Sequence, residues 1–174
     1  MNEVINSIIK RRSVKKFKDE MIPRETLEKI LVAGTYAPTG MNRQSPIMVC
    51  ITNKEIRDRL SRLNASIMGR DGIDPFYGAP VVVVVLADTS VRTYKYDGSL
   101  VMGNLMLAAD SLGIGSCWIH RAKEEFETEE GKQILKDLGI EGEYEGIGNC
   151  ILGYIDGDYP EVRPRKDGYV YFVE

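Results

Sequence analysis

A chain of 174 residues with 43% hydrophobic side chains has the length of one ordinary domain and enough apolar material to bury a core, so residues 1–174 are read as a single domain. Its 23 basic residues against 26 acidic ones leave a net charge of −3, which argues against nucleic acid or an anionic membrane as a partner. One histidine, His120, and three dispersed cysteines, Cys50, Cys117 and Cys150, are too few for a zinc or iron centre of the usual ligands and do not form a disulfide framework.

Along residues 4–11, Val4, Ile5, Ile8 and Ile9 fall on one side of a helix. Pro23 at a first turn, followed by Leu27, Ile30, Leu31 and Ala37, predicts a second. Pro46 leads into Ile47, Met48, Val49, Cys50 and Ile51, and Pro80 into the valine-rich run 81–86; both read as short strands buried on both faces. Between them Ile56, Leu60, Leu63 and Ile67 keep helical spacing, and residues 69–78 read as a loop. The longest apolar run, residues 79–87, is far short of the ~20 residues of a membrane-spanning helix, and no apolar stretch follows the charged N-terminus. A cytoplasmic location is the default expectation.

After a short connector at residues 88–97, the stretch 99–112 places Leu100, Val101, Met102, Leu105, Met106, Leu107, Ala108, Ala109 and Leu112 nearly all the way round a helix. Such a helix needs cover on almost every side, which points to a subunit interface; the alternative is an ordinary central helix. Gly113 and Gly115 end it, residues 116–119 predict a strand, 127–138 a polar surface helix and 148–155 another strand. Residues 156–168, rich in glycine, proline and charge, form an arm leading to Tyr169, Val170, Tyr171, Phe172 and Val173. That last segment has high strand propensity and can join a neighbouring subunit's sheet as easily as its own.

Three clusters carry chemistry. Lys10, Arg11, Arg12, Lys15, Lys16 and Lys18 crowd together in an otherwise acidic chain. They are either a solvated helix end or, with Ser13, an anion site in which arginine forks clamp a phosphate. The segment from Ala37 through Pro38, Thr39, Gly40, Met41, Asn42, Arg43, Gln44 and Ser45 to Pro46 is a tight polar loop with donors and acceptors at short reach. Arg163, Pro164, Arg165 and Lys166 lie in the arm. There is no Walker loop, and the run Gly113, Ile114, Gly115, Ser116 lacks the third glycine of a dinucleotide fingerprint and opens a strand.

In this order, the segments 9–17, 37–46, 112–119, 152–154 and 163–166 resemble the nitroreductase family of flavoproteins. The resemblance implies an α+β fold, with a mixed sheet surrounded by helices and the C-terminal strand exchanged across a homodimer. It implies FMN at the dimer interface, NADH or NADPH as co-substrate and a small-molecule electron acceptor such as a nitroaromatic or quinone. Carried over by residue, Arg11, Ser13, Arg163 and Arg165 hold the FMN phosphate, and Arg12 contributes near it, partly through its backbone. Lys15 lies toward the pyrimidine edge of the flavin. Pro38, Thr39, Gly40 and Asn42 come from the other subunit, and Ile119, His120 and Arg121 pass along the ring through backbone groups. No side chain is expected to be catalytic in itself: the flavin carries the chemistry, Lys15 tunes it, and His120 is positional. Many relatives place a further basic residue before the buried strand, where this chain offers Arg70. Tyr94 and Tyr96 either wall the cleft or serve packing. The alternative function is a non-catalytic flavin- or nucleotide-binding module.

Overall fold

An unbroken run of apolar residues organises the architecture. In the computed structural model, which describes residues 2–174, β2 (Val81–Asp88) is buried from Val81 to Ala87. Its side chains alternate between two cores: Val82, Val84 and Leu86 enter one, and Val81, Val83 and Val85 the other. With apolar residues on both faces, the strand is stable only between two covering layers.

Four strands form one sheet in the order β1-β2-β4-β3, with β1 spanning Pro46–Ile51, β3 Gly115–Ile119 and β4 Tyr144–Gly153. Every pairing is antiparallel, which corrects the mixed sheet expected from sequence. The physical reason lies in the crossover. β2 and β3 run in the same direction, but β4 inserts antiparallel between them and splits what would have been the parallel pair. Among the described residues, the one parallel contact is an isolated bridge between Ser13 and Ser116.

On one face, α2 (Arg24–Thr35) and α4 (Tyr94–Ser111) supply Leu27, Ile30, Val101, Met102, Leu105 and Ala109 to the core. Gly34 permits their close approach, since a Cβ there would lie 2.8 Å from Met48 Sδ and 3.0 Å from Leu105 Cδ2. The other face is covered by α3 (Lys54–Ile67), α5 (Ala122–Glu127) and α6 (Glu129–Asp137), through Leu60, Ala122, Phe126 and the partly buried Ile134 and Leu135, with Phe76 from the connecting loop.

Several boundaries differ from the sequence reading. The polar helix expected over 127–138 is α6, and the short α5 before it was not expected; Thr128 separates the two and caps α6 by accepting from the Gly131 amide. α4 begins at Tyr94, so Tyr94 and Tyr96 lie on its first turn rather than in a connector. β4 starts four residues early, at Tyr144, and ends at Gly153; beyond it, Ile155 makes only a bridge with Phe17. Residues 169–173 form no strand within the chain, and the aromatic pair Tyr171 and Phe172 is 83% and 86% exposed. Strand propensity needs a partner edge to act on, and here the segment has none.

α1 (Glu3–Lys10), capped by Asn2 through its bond from the Ile5 amide, buries no residue. Its apolar stripe of Val4, Ile5, Ile8 and Ile9 faces outward, as do Tyr96 and Leu100 of α4. Among the described residues, no helix is long and apolar enough to cross a membrane.

Candidate functional site

The cationic segment lies against the free edge of β3. The Val14 amide donates to the Ser116 carbonyl at 2.9 Å, and further along, Lys18 N–H meets Tyr154 O while Asp156 N–H meets Lys16 O. Val14 and Phe17 sink into the core, while Ser13 and Lys15 on either side of Val14 are exposed. Arg11 ends α1, its amide donating to Ser7 O. Burial pushes the pKa of the Cys117 thiol up, and Ser13, Lys15 and Arg11 oppose that shift; Ser13 and Lys15 line one cavity with Cys117, and Arg11 precedes them at the end of α1. Nη1 of Arg11, and Nε and Nη2 of Arg12, are buried N–H groups with no hydrogen-bond partner, an arrangement an anion would satisfy.

Beside this cluster opens a cavity of about 580 Å³ whose walls include Ser13, Lys15, Arg70, Tyr77, Ile119, His120 and Arg121. Arg70, the basic residue this chain offers before the buried strand, is thus on the wall of the same cavity as Lys15. The loop carrying it is pinned by Asp74, whose carboxylate accepts from Arg57 Nη2 and Ser61 Oγ, both at 2.6 Å, and from the Phe76 and Gly78 amides. Burial raises the Asp74 pKa, but Arg57, Ser61 and Gly78 outweigh it and hold the carboxyl below its ordinary value. Its charge is thereby committed to Arg57, leaving Lys15, Arg70 and Arg121 to set the sign of the cavity. Lys15 Nζ is steadied 5.5 Å above the Tyr77 ring.

The far wall is the turn between β3 and α5. The Ile119 side chain is buried in the core, so only its backbone is available to a ligand. Arg121 takes a left-handed conformation, φ 79°, with Nε donating to Asn64 Oδ1 at 2.9 Å, and Asn64 Nδ2 donating to the His120 carbonyl. Trp118, His120 and Arg121 also wall a second cavity of about 300 Å³, which reaches Lys95 and Ser99 of α4.

The remaining sequence-derived residues are placed elsewhere. The Arg12 amide donates to Tyr159 Oη at 2.8 Å, and its Nη1 folds back onto the carbonyls of Ile9 and Arg11. Tyr159 in turn donates to Asp110, so the backbone group expected near a phosphate is engaged by the arm. Arg163 and Arg165 are exposed on that arm and line no part of either cavity.

Pro38, Thr39, Gly40 and Asn42 lie in the loop that enters β1, at the sheet edge opposite β3. Buried Asp97 organises this loop, accepting from the Gly40 amide at 3.0 Å, Ser45 Oγ at 2.8 Å and Thr93 Oγ1 at 3.0 Å. Met41, Asn42 and Gln44 all adopt positive φ, which for non-glycine residues costs about 1–3 kcal/mol each and marks a conformation imposed by its surroundings. One chain does not unite the two halves of the expected site, since β2 and β4 stand between them.

Sequence reasoning missed Tyr77 and Trp118 as cavity walls, Asp74 and Asp97 as loop anchors, and the Asn64 amide behind the turn. For Asp74 the available signal was an acidic residue between glycine and proline in a loop; Asp97, on the first turn of α4, gave none. Asn64 gave none, being one polar residue among many on α3.

Residues 8–154 match the sequence model of the nitroreductase family. A relative from Archaeoglobus fulgidus, provisionally named NADH dehydrogenase/NAD(P)H nitroreductase, is 31% identical over 159 residues, covering 88% of this chain and 86% of that protein. A like-named protein from Methanothermobacter thermautotrophicus is 29% identical over 121 residues, 67% of this chain and 60% of its own length, so this chain spans less than two thirds of that relative. A crystal structure of a nitroreductase with bound FMN from Bacteroides fragilis NCTC 9343 superposes with a TM-score of 0.91 at 28% identity over 100% of both chains. The sequence match runs from the cationic segment at the β3 edge to the end of β4, and the fold agrees along the entire length: this chain belongs to the nitroreductase family.

Proposed function

We propose that this chain is an FMN-dependent oxidoreductase that takes hydride from NADH or NADPH and reduces a small acceptor, a nitroaromatic or quinone, working as a homodimer of single-domain subunits. The observation that carries the reading is the placing of Ser13 and Lys15 on one cavity wall, close along the chain to Arg11 and Arg12, whose buried guanidinium N–H groups lack a partner. That donor set fits a phosphate. The FMN in the Bacteroides fragilis structure and the name of the Archaeoglobus relative support it.

When bound, FMN supplies the hydride chemistry; the chain supplies binding, orientation and charge. Arg11 and Ser13 hold the phosphate. Lys15 and Arg70 put positive charge at the pyrimidine edge, favouring the reduced cofactor. Ile119, His120 and Arg121 present backbone groups along the ring. Because the loop of Pro38, Thr39, Gly40 and Asn42 lies on the opposite sheet edge of its own chain, a second copy must supply it, while Arg163 and Arg165 from the arm join Arg11 and Ser13 at the phosphate. The outward apolar faces of α1 and α4 and residues 169–173 are the surface such a pairing buries. Nicotinamide and acceptor then take turns in one cleft, a ping-pong order.

The test is an absorbance spectrum of purified, FMN-loaded protein. Anaerobic NADH or NADPH should bleach the yellow band, and a quinone or nitroaromatic should restore it. Tight flavin that neither nucleotide reduces would leave a non-catalytic flavin-binding module, and a chain that takes up no FMN would overturn the reading.

A further inference from the structure

Behind the turn between β3 and α5 lies a closed set of polar side chains that flavin binding leaves unused. Glu125, Asn64 and Asn149 are each 0% exposed. Glu125 Oε1 accepts from Asn64 Nδ2 at 2.5 Å and Oε2 accepts from Asn149 Nδ2 at 2.8 Å. Asn64 reaches the turn twice more, through the His120 carbonyl and Arg121 Nε. Its donors and its carbonyl are thus all in use. Asn149 Oδ1, by contrast, is buried with no partner.

Burying a carboxylate among amides is costly, and an apolar trio of similar volume would pack these positions more cheaply. The three residues come from α5, α3 and β4, so no local structural demand selects them. What they do hold is Arg121, in a conformation uncommon for a non-glycine residue, at the wall shared by the two cavities.

We infer that Glu125, acting through Asn64, is a positioning residue for this turn, and that its hold on the Arg121 guanidinium weakens when the carboxylate takes up a proton from solvent. Ionised, it accepts from both amides, and its charge draws Arg121 toward the interior. Protonated, it needs an acceptor for its O–H. A half-turn of the Asn149 amide supplies Oδ1, the atom now without a partner, and leaves Nδ2 in its place, so Glu125 keeps a partner in either state and the charge facing Arg121 changes. The charged groups facing Glu125 are Arg121 and Glu124. Burial is the largest influence and pushes Glu125 up to about 7, against the opposing pull of Asn149, Asn64 and Arg121, so the exchange falls in the neutral range. The effect on the cofactor rests on the FMN reading above: an Arg121 released from the interior adds positive charge to the cavity.

The first test needs no flavin. In ¹⁵N-labelled apoprotein, the Arg121 Nε–H resonance, assigned by its loss in Arg121→Lys, should shift with a midpoint near neutrality and stay still in Glu125→Gln. Histidines as a class titrate in the same range, so the shift must survive His120→Gln. An Arg121 resonance that does not move between about pH 5.5 and pH 8.5, or that loses its titration in His120→Gln, overturns the inference. These two titrations decide the matter alone should Glu125→Gln fail to fold. A second readout is the ratio of wild-type to Glu125→Gln FMN dissociation constants, in which the titration of the cofactor's own phosphate cancels. It should change about fivefold between about pH 6 and pH 8, the size of one net hydrogen bond. A constant ratio removes the coupling to the cavity, whereas absence of FMN binding at every pH overturns the cofactor reading and leaves the apoprotein titration standing.

Discussion

Arg11 is held at its backbone and free at its guanidinium. The amide closes the last turn of α1 on Ser7 O, while Nη1 has no partner, so the side chain is available to a ligand at little cost to the fold. Replacing it with glutamate removes one or more charge-assisted bonds of about 1.5–3 kcal/mol each and adds repulsion. Arg11→Glu should therefore lower FMN affinity at least ~30-fold. The flavin-to-protein absorbance ratio after gel filtration measures this, alongside an unchanged far-ultraviolet circular dichroism spectrum; full flavin occupancy would remove Arg11 from the clamp. Arg11, Ser13 and Lys15 were legible because a dense run of cations in an acidic chain stands out. Glu125 was not, because it stands among charged neighbours, Lys123, Glu124, Glu127, Glu129 and Glu130, and its partners lie 61 and 24 residues away.

Among the elements, the loop between α3 and β2 depends most on a single contact. Arg57 is buried, its side chain 9% exposed, and besides Asp74 it keeps the Ala79 carbonyl and Asp58. Asp74→Ala should thus cost about 2 kcal/mol, below the ~3–5 kcal/mol of breaking an isolated buried pair, and should free the segment carrying Arg70. Urea midpoints and faster tryptic cleavage at Arg70 would report it. The sign of the pH dependence follows from the depressed Asp74 pKa. Its stabilisation is complete above the ordinary value of 3.8 and is lost as pH falls through the lower folded value. The difference between wild type and variant should therefore persist from neutrality to about pH 5 and disappear in stronger acid; an equal difference in strong acid would mean the loop is held by packing instead. In sequence, residues 69–78 were readable as a loop from their glycines and proline, yet a buried arginine on α3 looks like any surface arginine until the chain closes over it.

For the molecule as a whole, the two halves of the proposed site occupy opposite edges of one sheet, and the arm leaves the fold after Tyr159 is tied to Arg12 and Asp110. Residues 161–174 are exposed throughout, so their removal leaves both cores intact while deleting Arg163, Arg165 and the aromatic tail. A chain ending at Pro160 should stay folded, shift from dimer toward monomer by light scattering, and bind FMN at least ~tenfold more weakly, the loss of roughly one charge-assisted contact. A truncated chain that remains a fully loaded dimer would show that the arm serves neither role.

By itself the sequence determined most of the helices and strands and the two-sided burial of the valine run, because periods of 3.6 and 2 are local properties written in neighbouring residues. It also marked the cationic segment, the polar loop and the basic arm. Only the tertiary structure decided that β4 separates β2 from β3, that residues 11–17 dock on the β3 edge, that the polar loop lies on the opposite edge, and that Glu125 closes a cage with Asn64 and Asn149 behind Arg121. Those outcomes depend on which distant segments meet, and a polar or apolar residue carries no local sign of the partner it will find.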